Sequence, residues 1–186
     1  RLRSDVPVGT YLSGGLDSSL TTAIAARLIP NVLETFSISF EQAQFDEGGM
    51  QILASQAIGT HHHDLRITDR MIGEVFPQVV LACETPILRT APAPMYLLAQ
   101  MVHQHGLKVV LTGEGADEFL GGYDLFKEMK VRRFWAAQPD SELRAQLLYA
   151  LYPNMRGVQQ RSAFFLGFFR KGLEQASSPF FSHLPR

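Results

Sequence analysis

Along the first 125 positions of the chain, the spacing of hydrophobic and polar residues alternates between a pattern typical of strands and one typical of helices. Short runs rich in Val, Ile, Phe and Thr are typical of strands and cover residues 8–12, 32–40, 60–67 and 107–111. Segments with helical spacing or a capping residue predict helices over 18–28, 46–58, 68–83 and 95–105. This alternation predicts an α/β fold in which a parallel sheet carries helices on both faces.

The pattern changes after Tyr123, beyond which residues 124–186 favour helices and no further strand is predicted. We therefore expect an α/β domain over residues 1–125 and a helical extension over residues 126–186. The chain starts at Arg1 rather than at methionine, and residues 177–186 contain no evident closing element. We expect a truncated extension and a longer parent protein.

Composition narrows the class of protein. With 46% hydrophobic residues, 19% charged residues and a net charge of −1, the chain resembles an ordinary globular protein, and nothing in its charge favours nucleic acid or an anionic membrane as a partner. The single cysteine, Cys83, excludes an internal disulfide. No signal-peptide pattern and no apolar run of membrane-spanning length occurs, so we expect a cytoplasmic protein.

The candidate chemistry begins in the loop after the first predicted strand, where residues 13–19 read Ser-Gly-Gly-Leu-Asp-Ser-Ser. A loop that joins a strand to a helix N-terminus presents backbone N–H groups and the positive end of the helix dipole to an anion. Gly14 and Gly15 permit close backbone approach, and Ser13, Ser18 and Ser19 add hydroxyl donors. Asp17 suits an anion site only together with a cation. The loop therefore predicts a site for a magnesium nucleotide or its pyrophosphate.

This loop differs from two commoner motifs. A Walker phosphate loop needs a Gly-Lys pair, which the sequence lacks, and a nucleophile elbow would need glycine at Tyr11. A plain turn rich in glycine and serine is the alternative interpretation, and the flanking strand and helix make it the less favoured one.

A second glycine-rich loop follows the last predicted strand, where residues 112–123 read Thr-Gly-Glu-Gly-Ala-Asp-Glu-Phe-Leu-Gly-Gly-Tyr. It is not a dinucleotide fingerprint, because Glu118 stands at the third glycine position and three carboxylates would repel phosphates. An acidic residue here can instead hold Mg²⁺ that also contacts the phosphates. An exposed acidic turn is the alternative.

Together the two loops resemble the synthetase domain of glutamine-dependent asparagine synthetases, which belong to the N-type ATP pyrophosphatases. The first loop matches the family motif throughout, and the second exchanges Leu-Phe for Phe119-Leu120. Residues 35–40, 45–47, 59–63 and 94–98 also fit, so the resemblance covers roughly residues 5–125. It implies a nucleotide-binding domain of the adenine nucleotide alpha hydrolase type.

The resemblance also implies the chemistry. ATP would adenylate the side-chain carboxylate of aspartate to β-aspartyl-AMP and release pyrophosphate, and ammonia from glutamine would then displace AMP. Asp17 and Asp117 would share Mg²⁺, and Glu114 would orient the acyl-adenylate or accept a proton. Leu12 and Ser37 would flank the nucleotide. The remaining residues assigned to nucleotide binding are Ser13, Gly14, Gly15, Asp17, Ser18, Ser19 and Gly113.

Several features leave alternatives open. Arg89 stands where the family often has an acid and serines, so it is either a contact to phosphate or substrate carboxylate or an exposed loop arginine. We expect the domain to adenylate aspartate. Because Arg89 leaves the acid open, adenylation of another carboxylate is one alternative, and ATP binding without catalysis is the other. The N-terminal glutaminase domain that would supply ammonia, and a later segment with a catalytic lysine, have no counterpart in residues 1–186. A homodimer is left open as the assembly.

Three adjacent histidines, His61, His62 and His63, raise the question of a metal. Adjacent residues of a strand face opposite sides, so at most two of these side chains can converge. We expect them to be core or surface residues.

Overall fold

The computed structural model describes residues 2, 4–41, 46–152, 162–178 and 180. By its contacts the chain divides into two compact units, Arg1–Glu114 and Gly115–Arg186. In the described part of the chain all strands belong to the first unit, and the second unit is helical.

The first unit is built on a four-stranded sheet with the order β3-β2-β1-β4. Its strands are β1 (Val8–Tyr11), β2 (Glu34–Phe40), β3 (His61–Ile67) and β4 (Val109–Leu111). Every neighbouring pair is parallel: Thr10 pairs with Thr35 of β2 on one side and with Leu111 of β4 on the other. The predicted parallel α/β sheet is confirmed.

Helices cover both faces of this sheet, as predicted. They are α1 (Leu16–Leu28), α2 (Gly48–Ile58), α3 (Asp69–Cys83) and α4 (Pro92–Gln104). One face of β2 packs an apolar core in which Phe36 contacts residues of α4 such as Leu98. The other face is polar, since Ser37 donates a hydrogen bond to Gln51 of α2. Helix α1 covers the same polar face, where the Thr10 and Thr22 hydroxyls are 3.0 Å apart.

Two helix boundaries follow the sequence signals. Thr68 caps α3 by accepting a hydrogen bond from the Met71 N–H, and Gly59 ends α2 in the left-handed conformation with φ +81°. The predicted start of α4 at Met95 is wrong, because the helix begins at Pro92. Proline suits a first helical turn, where its fixed φ is already helical and its missing N–H leaves no hydrogen bond unmade.

The apolar stripe of α1 lies on its outer face. Leu20, Ile24 and Leu28 are each at least half exposed, whereas Ser18 and Thr22 are buried. Helical spacing therefore identifies the helix correctly, but the buried face is the hydroxyl-bearing one that meets the polar side of the sheet.

The second unit packs around its own aromatic core. Its helices are α5 (Ala116–Leu120), α6 (Asp124–Ala136), α7 (Glu142–Leu151) and α8 (Ser162–Arg170), followed by a 3₁₀ turn at Leu173–Gln175. Trp135, Leu148, Phe165 and Phe169 are buried together. No helix in the described residues of either unit is long and apolar enough to cross a lipid bilayer.

Candidate active site

The strand order creates a switch point at the carboxyl end of β1. The chain moves from β1 to β2 and β3 on one side and then returns to place β4 on the other side. Loops that leave neighbouring strands at such a point diverge and form a crevice, which is where open α/β sheets bind ligands. The predicted loop after β1 and the start of the loop after β4 both leave here.

Hydrogen bonds fold the first loop around Ser18. The Ser13 N–H donates to Ser18 Oγ at 3.1 Å, and the two serine hydroxyls are 2.8 Å apart. Ser18 Oγ also lies 3.3 Å from the Gly15 carbonyl oxygen, to which it can donate. Ser18 is buried and Ser13 is exposed. Ser18 therefore fixes the shape of the loop from inside, and Ser13 presents its side chain at the surface.

The glycines of the two loops have different surroundings. Gly14 has φ +81°, and a Cβ there would lie 2.9 Å from the Gln51 nitrogen and from Met50 Cβ of α2. A Cβ at Gly113 would lie 2.9 Å from the Ser18 nitrogen. Both glycines thus allow close packing within the protein. Gly15, by contrast, meets only Ser13 Oγ at 3.4 Å, so its surface stays open to a ligand.

The N-terminus of α1 is available to an anion. Gly15 is its N-cap and, among the described residues, no side chain caps it. The first-turn N–H groups of an uncapped helix need acceptors from outside the helix. Asp17 lies in this first turn, partly exposed, and it forms no salt bridge within the described part of the chain. An unpaired carboxylate beside free N–H donors can bind a cation while the N–H groups bind the anion.

Leu12 and Ser37 are both buried. Leu12 is 0% exposed, and its N–H donates to the Phe36 carbonyl at 3.0 Å. Ser37 Oγ lies 2.8 Å from Gln51 Oε1, 3.0 Å from Asp64 Oδ1 and 3.1 Å from His62 Nε2. The Ser37 hydroxyl is therefore engaged within the protein, and Leu12 and Ser37 form part of the buried floor of this end of the sheet.

His62 joins the hydroxyl groups of β2 into one network. Its Nδ1 lies 2.9 Å from Thr35 Oγ1, and its Nε2 faces Ser37. Burial lowers the pKa of His62, and this effect outweighs the nearby Asp64 carboxylate, which acts in the opposite direction; His63 lowers the pKa further. The imidazole is therefore neutral at pH 7, and it forms hydrogen bonds with Thr35 and Ser37 on the polar face of the sheet.

The second loop divides between the two units. Gly113 and the exposed Glu114 end the first unit. Asp117 belongs to the second unit, in the first turn of α5, where the Gly121 N–H donates to its carbonyl oxygen at 2.9 Å. A Cβ at Gly122 would collide with the Asp117 carboxylate, so this glycine leaves room for that side chain.

A separate cavity of 810 Å³ opens at the carboxyl ends of β2 and β3. Its lining residues are Phe40, Glu41, Ile67, Asp69, Ile72, Arg89, Thr90, Ala91 and Pro94. The cavity is largely apolar, and Arg89 is the one basic residue among those that line it. Such a cavity can receive an organic molecule that carries a carboxylate.

Comparison with known proteins matches residues 1–179 to the Asparagine synthase family. This chain belongs to that family. It is 34% identical over 161 residues to asparagine synthetase [glutamine-hydrolyzing] 1 of Bacillus subtilis (strain 168), an alignment that covers 87% of this chain and 25% of that protein. Asparagine synthetase [glutamine-hydrolyzing] 2 of Arabidopsis thaliana is 36% identical over 137 residues, 68% of this chain and 23% of that protein.

The chain is also similar to the amidase chyE of Penicillium rubens. The two are 33% identical over 141 residues, an alignment that covers 68% of this chain and 21% of that protein. The chain thus spans about a quarter of the length of the curated relatives that it matches. Family membership agrees with the resemblance that the two loops indicate.

Sequence reasoning missed the buried polar residues of α2 that form hydrogen bonds with β2. Gln51 is 3% exposed, and its Nε2 donates to the Ile38 carbonyl while its Oε1 accepts from Ser37. The only sequence signal for this layer is the alternation of polar and apolar residues along β2, which does not reveal that a helix covers the polar side.

Proposed function

We propose that this chain is the adenylating part of a cytoplasmic, glutamine-dependent asparagine synthetase. An oxygen of the aspartate side-chain carboxylate attacks the α-phosphorus of ATP, and the bond from that phosphorus to the bridging oxygen breaks to release pyrophosphate. Ammonia then attacks the acyl carbon of β-aspartyl-AMP, and AMP leaves. A glutaminase domain of the same protein is the proposed source of the ammonia.

The observation that carries this proposal is the uncapped N-terminus of α1 at the switch point of the sheet. In this proposal the first-turn N–H groups, the open backbone at Gly15 and the Ser13 and Ser19 side chains bind the pyrophosphate. Ser18 and Gly113 keep the loop in the required shape. Leu12 and Ser37 flank the nucleotide in this proposal, as the family resemblance implies, and both are buried at this end of the sheet.

The donor chemistry of Asp17 fits magnesium, since its carboxylate is partly exposed, forms no salt bridge with any residue that the structure describes, and offers the oxygen ligands that this ion prefers. Mg²⁺, when bound, would neutralise charge on the phosphates and the leaving pyrophosphate. Asp117 is the second ligand that the family resemblance implies. Glu114 is the proposed base or orienting group for the amidation step, in keeping with its exposed carboxylate at the end of the first unit.

A second candidate is a related synthetase that adenylates a different carboxylate. Two observations favour it: Arg89 lines a largely apolar cavity, and a relative of comparable identity is named an amidase. The two candidates differ only in which carboxylic acid is adenylated, since both use ATP in the same way.

ATP–pyrophosphate exchange with Mg²⁺ tests both candidates. It is measured with L-aspartate and with a panel of other carboxylic acids, on this chain and on a longer version that includes its flanking sequence. Exchange that requires aspartate supports the first candidate, and exchange that requires another acid supports the second. Binding of Mg-ATP without exchange for any acid would contradict both and leave a nucleotide-binding module.

We predict a specific effect of Arg89 on the acid. Arg89→Gln should raise the KM for the activated acid at least about tenfold, because an arginine–carboxylate pair is a strong charge-assisted contact, and should leave the KM for ATP unchanged. Arg70→Gln is the matched control, since Arg70 is exposed and pairs only with Glu74 on α3 among the described residues. Equal KM values for the acid in both variants would show that Arg89 is a simple surface residue.

A further inference from the structure

A second group of ligating side chains lies at the opposite end of the sheet from the loop at residues 13–19. Glu34 begins β2 and His61 begins β3, and the two residues are direct partners across these strands. His63 lies two residues further along β3, so its side chain projects from the same face as that of His61. The seven residues of β2 span about 20 Å, which separates this group from the loops at the carboxyl ends.

The three side chains converge on one point. His63 Nε2 lies 2.6 Å from Glu34 Oε2, and His61 Nδ1 lies 3.1 Å from the same oxygen. One ligand atom from each residue lies within 4.8 Å of the other two. Bonds of about 2.0–2.2 Å to a tetrahedral zinc ion separate its ligand atoms by about 3.4 Å. Shifts of less than about 1 Å would therefore bring the three atoms to coordination distance.

The surroundings hold this group in place and leave it open on one side. The His63 ring stacks on Phe36 with ring centroids 5.0 Å apart, and the His105 ring packs against it at 4.1 Å. The side chain of His63 is 19% exposed and that of His61 is 65% exposed, so an ion can enter past His61. Burial alone would raise the pKa of Glu34, but hydrogen bonds from His63 and His61 lower it, and the carboxylate is charged.

We propose that Glu34, His61 and His63 bind a first-row transition-metal ion, with zinc(II) as the favoured occupant. Imidazole nitrogens suit zinc, cobalt, nickel and copper, whereas Mg²⁺ prefers carboxylate and water oxygens. Three protein ligands leave a fourth position for water. The ion would link β2 to β3 and is independent of the proposed nucleotide chemistry.

Calorimetric titration of zinc chloride into the chain, expressed without a polyhistidine tag and first treated with a chelator, tests this site. We expect one zinc ion per chain. We expect zinc binding to weaken at least about 100-fold in each of the variants His61→Ala, His63→Gln and Glu34→Gln. Loss of a direct ligand should cost more than the 10- to 100-fold loss typical of a residue that only forms a hydrogen bond with a ligand. His103→Ala is the matched control, since His103 is an exposed histidine of α4 outside this group, and it should bind zinc normally.

Two further measurements separate ligation from folding. Far-ultraviolet circular dichroism must show that the variants keep their secondary structure; His61→Ala is the safest of them because its side chain is mostly exposed. Zinc should raise the melting temperature of the parent chain and of His103→Ala but not that of His61→Ala. A large excess of Mg²⁺ should not displace the zinc. Equal zinc binding in His61→Ala and His103→Ala, or no binding to the parent chain, would overturn the proposal.

Discussion

Gly14 and Gly15 are neighbours, but only one of them has room for a side chain. Gly14 combines a left-handed backbone with the close approach of α2, whereas Gly15 has an extended backbone with φ −73° and ψ 166°. The Gly-Gly pair in the sequence predicts a tight loop, and the structure assigns the two residues separate roles. Gly14 lets the loop pack on α2, and Gly15 leaves the surface at the start of α1 open.

Alanine substitutions should separate these roles. Gly14→Ala should lower the free energy of unfolding by about 2 kcal/mol or more, because a Cβ is strained in the left-handed region and would collide with α2. Gly15→Ala should change it by no more than about 0.5 kcal/mol, since its backbone suits any residue. Urea denaturation followed by circular dichroism measures both. Equal losses of stability would contradict the assignment.

At the scale of elements, sequence patterns identify the strands and helices better than they identify buried faces. The caps at Thr68 and Gly59 act locally, so the sequence predicts them correctly. The outward face of α1 could not be predicted, because the polar face of the sheet, which α1 and α2 cover, is buried through hydrogen bonds rather than through apolar contact. Ser37 and Gln51 illustrate this, since each is 3% exposed.

The second unit contains a buried ion pair within one helix. Glu128 and Arg132 of α6 are 1% and 2% exposed, and Arg132 Nη1 lies 3.3 Å from Glu128 Oε1. The Tyr152 hydroxyl donates to the other carboxylate oxygen at 2.5 Å, and Arg132 also donates to the Lys171 carbonyl. This pair therefore connects α6 to the end of α7 and to the segment after α8.

Neutralising one member of the pair should destabilise this unit strongly. Glu128→Gln should cost about 3–5 kcal/mol, because it leaves a buried guanidinium without its counter-charge. Trp135, the only tryptophan of the chain, lies in the core of the same unit, so its fluorescence reports unfolding there. Asp124→Asn removes the exposed pair with Lys127 and should cost less than about 1 kcal/mol. A similar small cost for both variants would contradict this account.

At the scale of the whole molecule, the sequence predicts the loops of the candidate site but not the strand order and register that position them. The motifs at residues 13–19 and 112–123 and the parallel sheet suffice to predict a ligand crevice at the strand ends. The position of β4 beside β1, which places Gly113 against Ser18, depends on a long crossover that periodicity does not specify. The convergence of His61 and His63 on Glu34 likewise depends on strand register, which only the structure provides.

Binding of Mg-ATP to the chain, measured by calorimetry, tests the central proposal most directly. Asp17→Asn should weaken binding about tenfold or more in the presence of Mg²⁺, a loss of about 1.4 kcal/mol, because it removes a carboxylate ligand for the metal beside the phosphates. Asp124→Asn alters the equivalent first turn of α6 and should bind Mg-ATP as the parent chain does. If Asp17→Asn and Asp124→Asn bind Mg-ATP equally well, the loop at residues 13–19 is not the magnesium nucleotide site.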